Sequence, residues 1–75
     1  MTTYFMTYDP RALKRLMKKY DVKPQALADL TGLTTQGIYT LARGAGEPRA
    51  STLGRLASAL DVKLEAFFIV KGVKS

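Results

Sequence analysis

Thr35, Gln36, Tyr39, Thr40 and Arg43 are spaced to fall along one edge of a helix, and they bring hydroxyl, amide and guanidinium groups together without a carboxylate. An edge of that chemistry can pair with base edges and phosphates in the major groove of duplex DNA. Spacing alone gives equal weight to a solvated polar face, which nearly every surface helix carries. The surrounding chain has to decide between the two.

Pro24 to Gly44, PQALADLTGLTTQGIYTLARG, reads as two short helices joined by a tight turn. Leu27 and Leu30, with small Ala26 and Ala28 between them, mark the first helix. Thr31-Gly32 stops it, because glycine enters the left-handed region at no side-chain cost. Thr34 offers a hydroxyl to the unpaired N–H groups of the next helix, Ile38 and Leu41 give that helix an inward edge, and Gly44 ends it.

The run from Leu27-Ala28 through Gly32, Thr34, Ile38 and Leu41 to Arg43-Gly44, followed by Pro48, resembles the helix-turn-helix of the lambda-repressor and Cro family. Leu53, Leu56-Ala57, Ala59-Leu60, Val62, Leu64 and Phe67 are similar to that family's fourth and fifth helices, so the resemblance covers roughly residues 10 to 68. It implies an all-α, five-helix DNA-binding domain over residues 9–68, flanked by an arm or strand at 1–8 and a strand or tail at 69–75. The DNA-binding residues it implies are Gln25, Thr34, Thr35, Gln36, Gly37, Tyr39, Thr40, Arg43 and Arg49. Gln36 would pair with adenine, Thr35 and Thr40 would lie near thymine methyls or phosphate, and Tyr39 near phosphate. Arg43 and Arg49 would neutralise phosphates, with Arg49 also able to reach the adjacent minor groove.

This chain departs from the family's pattern at three places. The family's glutamine at the start of the second helix is Pro24 here, with Gln25 after it, so that phosphate contact has moved one residue or been lost. An arginine and a glutamate that the family often pairs are replaced by Met17 and Ala42. Replacing both members of a buried ion pair is tolerable where replacing one is not, so Met17 is expected to pack near Ala42. Gly37 stands where serine or threonine is usual, at a cost of roughly 1 kcal/mol of helix propensity, and either weakens the helix or lets its backbone approach DNA beside Gln36.

With 75 residues, the chain has room for one domain and a small core. The absence of Cys and His removes disulfides, thiolate chemistry, imidazole bases and the usual zinc ligands, and fits a reducing compartment such as cytoplasm. Its net charge of +6 favours a polyanionic partner without choosing one. No apolar run approaches the length of a membrane span, no leader resembles a signal peptide, and no cofactor is expected.

Asp9-Pro10 is expected to start the first helix, which runs to about Tyr20 with Leu13, Leu16, Met17 and Tyr20 as its core stripe. Arg11, Lys14, Arg15, Lys18 and Lys19 fill the remaining positions and are assigned to solubility and steering. Ser51 or Thr52 is a candidate cap for the fourth helix, whereas the family register starts it nearer Arg49. Of the two phenylalanines near the last helix, Phe67 and Phe68, one is expected in the core.

The ends, Met1 to Tyr8 and Phe67 to Val73, are strand-prone. They can pair within one chain against the helical core or between two chains; the dimer-forming use is favoured, through Tyr4, Phe5, Phe68, Ile69 and Val70.

These features predict a dimeric transcriptional regulator that recognises a palindromic operator in double-stranded DNA. The alternative is a protein-interaction module on the same fold, such as an antitoxin, with a toxin or antirepressor as partner. Catalysis is disfavoured, since the six acids Asp9, Asp21, Asp29, Glu47, Asp61 and Glu65 show no acid/base or metal-ligand spacing.

Overall fold

The computed structural model describes residues 2–74, with side chains from Phe5 to Val70. The order is β1 (Thr2–Tyr8), α1 (Ala12–Lys19), α2 (Pro24–Thr31), α3 (Thr35–Ala42), α4 (Ala50–Leu60), a 3₁₀ turn (Leu64–Phe67) and β2 (Phe68–Lys74). Four α-helices therefore stand where five were expected, because the four residues Leu64–Phe67 are too few for more than a tight 3₁₀ turn before the β-prone segment begins.

Each helix contributes a stripe to one core. Leu13, Leu16 and Met17 of α1 meet Leu27 and Ala28 of α2, Ile38 of α3, Leu53, Leu56, Ala57 and Leu60 of α4, and Phe67 of the 3₁₀ turn. One expected stripe member lies outside it, and one apolar residue of α2 does too. Tyr20 follows the last residue of α1 and is exposed, its ring under the Lys19 ammonium at 5.4 Å. Leu30 is 67% exposed, since α2 turns Leu27, Ala28 and Thr31 inward and leaves Leu30 on the outer side. Buried Thr31 is satisfied by donating its hydroxyl to the Leu27 carbonyl at 2.8 Å. Phe67 is fully buried, while Phe68 is half-buried and meets Tyr8 edge to face at 6.3 Å between ring centroids.

Asp9 begins no helix directly; it anchors the turn that leads into α1 at Ala12. Its carboxylate accepts the Arg11 N–H at 3.0 Å and the Arg15 guanidinium at 3.1 Å, and its own N–H donates to the Phe67 carbonyl at 2.8 Å. The backbone hydrogen bond from Arg11, reinforced by Arg15, holds the Asp9 carboxyl below the usual aspartate range despite its burial. Next to it, burial and the carboxylates of Asp9 and Glu47 push the Tyr8 phenol above its ordinary value.

The helix ends repeat one device. Asp21 and Asp61, both at φ 54°, end α1 and α4 in the left-handed region, and the following Val22 and Val62 donate N–H groups back to Met17 and Ala57. Both valines pack on the core, so each Asp-Val-Lys segment closes a helix and redirects the chain.

β1 and β2 pair antiparallel within the chain, from Tyr8 opposite Phe68 to Thr2 opposite Lys74. The favoured pairing between chains is thus replaced by a ribbon, which the helical body supports mainly through the 3₁₀ turn. Tyr4 sits opposite Gly72, and its side chain lies outside the described residues. Among the described residues, no helix is long and apolar enough to cross a membrane.

Candidate nucleic-acid interface

The turn between α2 and α3 is set by two local choices. Gly32, at φ 75°, accepts the left-handed conformation that ends α2, and Thr34, in extended backbone, caps α3 by accepting the Gly37 N–H at 2.9 Å. A Cβ at Gly37 would come within 3.1 Å of the Thr34 hydroxyl oxygen, so the absent side chain leaves room for the cap. At the other end Gly44, at φ 84°, donates to the Leu41 carbonyl while Ala45 donates to Thr40, closing α3 with both bonds of a Schellman motif. The chain turns there tightly against Pro10, whose Cβ and carbonyl oxygen would each lie 3.4 Å from a Cβ at Gly44.

With Ile38 buried, the outer face of α3 is left with Gln36 and Arg43 exposed, Tyr39 at 55% exposure, and Thr35 and Thr40 half-buried. The Thr40 hydroxyl donates to the Gln36 carbonyl at 2.9 Å, which fixes its position and leaves its oxygen open as an acceptor.

The expected residues separate onto two sides of α3. Thr34, Gln36, Gly37, Thr40 and Arg49 line one hollow of about 670 Å³ between the turn, α3 and the loop that leads to α4. Tyr39 and Arg43 line another, of about 350 Å³, with Met17, Ala42 and Pro24 at the start of α2. Met17 and Ala42 thus border the same hollow, the neighbourhood expected from their paired replacement. Gln25, exposed in the first turn of α2, and Thr35 line neither hollow. Arg49 is the N-cap of α4 and supplies no side-chain cap bond, and neither Ser51 nor Thr52 caps that helix.

Two residues here escaped the sequence reading. Lys14 of α1 lines the same hollow as Tyr39 and Arg43. Its signal was its position three residues before Met17, the residue already matched to Ala42, since that spacing puts both on one side of α1. Glu47 brings a carboxylate into the hollow that holds Gln36 and Arg49. The amino group of a cytosine or adenine would find an acceptor there, beside the Arg49 cation.

Among the described residues, no group of three or more His, Cys, Asp or Glu side chains could hold a metal ion. The arrangement instead offers amide and hydroxyl groups at the helix start and cations around its far end. A family model described as the Cro/C1-type HTH DNA-binding domain matches residues 12–71, from the first residue of α1 into β2. No curated protein matches the chain. The capped turn, the polar outer face of α3 and this match over most of the chain together place the protein in the Cro/C1-type helix-turn-helix DNA-binding family.

Proposed function

We propose that the protein is a transcriptional regulator that binds a two-fold symmetric operator as a homodimer. α3 enters the major groove with Gln36 against base edges, Thr35 and Thr40 beside thymine methyls or phosphate, and Gly37 allowing close backbone approach. Gln25 and Tyr39 contact phosphate, the first beside the free N–H groups that open α2. Arg43 and Arg49 neutralise phosphates on either side of α3. The observation that carries this reading is the hollow in which Thr34, Gln36, Gly37, Thr40 and Arg49 converge beside the helix-turn-helix.

The ribbon supports the dimer. Met6 and Val70 lie opposite each other, 49% and 61% exposed, on the face that continues outward from the Tyr8–Phe68 pair. An isolated two-stranded ribbon is marginally stable, and a second copy packed on this face would cover it. The recognition helices would then lie about 34 Å apart, one turn of DNA.

A second reading is favoured by the same apolar strip: the ribbon grips a different protein, such as a toxin or an antirepressor, and DNA binding is secondary. Selection from a random duplex pool at near-physiological salt separates the two. Operator binding yields two half-sites related by symmetry and about one helical turn apart; a pool with no enriched sequence supports the protein-partner reading.

A further inference from the structure

We infer that Arg11, Lys14 and Lys18 of α1 form a sequence-independent phosphate track continuous with Arg43, extending contact with the duplex past the recognition helix. This inference rests on the DNA-binding reading above. Arg11, Lys14, Arg15 and Lys18 line one open hollow of about 680 Å³ together with Arg43. Lys14 also lines the hollow shared by Tyr39, Arg43 and the start of α2, so it joins the two surfaces.

Charge pairing within the chain accounts for only one of these cations. Asp9, just before α1, is occupied by the Arg15 guanidinium at 3.1 Å and the Arg11 backbone N–H at 3.0 Å. Among the described residues no ion pair forms to the side chains of Arg11, Lys14 or Lys18. α1 has no acidic residue in its first turn, and Arg11 sits at the helix end where a positive charge is unfavourable. Arg11 with Arg15, and Lys14 with Lys18, are like charges four residues apart, an arrangement that costs an isolated helix a few tenths of a kcal/mol per pair. Solubility alone would be served as well by mixed signs, which repel less. A polyanion laid along the helix turns these costs into attraction.

The spacing fits such a ligand. Arg11, Lys14 and Lys18 stand at i, i+3 and i+7, spanning about 10 Å of helix. One strand of duplex DNA carries a phosphate about every 3.4 Å of axis and winds as it rises, so a row of that length can face more than one phosphate.

Two charge-matched variants test the track. Lys14→Gln/Lys18→Gln removes two cations from it, and Arg55→Gln/Lys63→Gln removes two exposed cations outside the hollow. Each is titrated with a long random-sequence duplex over a range of salt, and melting curves confirm that it is folded. The first variant is expected to flatten the plot of log Kd against log salt by about two and to weaken binding at least tenfold at low salt, while the second keeps nearly the wild-type slope. Equal slopes for the two variants would show that net charge alone matters and would overturn the track. A wild-type slope in Lys14→Gln/Lys18→Gln would overturn it too, leaving the DNA-binding reading intact. Wild-type protein that binds no duplex at all would overturn that reading instead.

Discussion

Asp9 concentrates more of the fold's connections than any other polar residue described, joining β1, α1 and the 3₁₀ turn through one carboxylate and one N–H. Asp9→Ala is expected to cost about 1–2 kcal/mol at neutral pH, chiefly through the lost acceptor at the start of α1, since the exposed Arg15 adds little to the pair. Because its folded pKa is depressed, the carboxylate's contribution is complete above the ordinary aspartate value of about 3.9 and is lost as pH falls through the folded value. Denaturant melts of wild type and Asp9→Ala should therefore converge on acidification, and a gap constant from pH 7 to pH 3 would contradict the assignment. Asp21 and Asp61 carry the opposite opportunity. Each holds a left-handed conformation that favours glycine, and each places a negative charge at the negative end of a helix. Offsetting the strain against the greater unfolded freedom of glycine leaves a gain of about 0.5 kcal/mol per site. Asp21→Gly/Asp61→Gly should accordingly raise Tm by roughly 4–8 °C, and an unchanged or lower Tm would count against it.

At the scale of elements, the helix-turn-helix was legible because its signals are local. Gly32, Thr34 and Gly44 act through backbone conformation and a cap within four residues of themselves, and all three do so. Tyr20 and the start of α1 were misread because their placement depends on packing. Periodicity locates an apolar stripe without fixing its width, and the Asp9-Pro10 signal was absorbed by a turn pinned to Phe67, far away in sequence. The strand partners were likewise beyond local reading, since β-propensity is silent about whether the matching edge belongs to the same chain. Met17 and Ala42 line one hollow, a neighbourhood that the joint replacement of two charged partners pointed to in the sequence. Ala42→Glu alone is expected to cost about 1 kcal/mol, moderated by Lys14 and Arg43 around the same hollow. Adding Met17→Arg should recover stability, with a favourable coupling of about 1 kcal/mol or more in a double-mutant cycle. Additive single effects would mean that positions 17 and 42 do not communicate.

At the scale of the whole molecule, two parts make up its 45 Å length: a helical body that carries the polar face of α3, and a ribbon with an apolar strip. If that strip is the dimer contact, Met6→Thr/Val70→Thr should shift the sedimenting species from dimer to monomer and weaken binding to a symmetric site far more than to a half-site. A dimer unaffected by the pair would move the contact elsewhere. The central claim, that α3 reads bases through Gln36, is tested most directly by selecting bound sequences from a random duplex pool with wild type and Gln36→Ala in parallel. The expected result is a symmetric consensus that Gln36→Ala relaxes at one base in each half-site, with the remaining positions retained. An identical consensus from both proteins would contradict base reading by this residue.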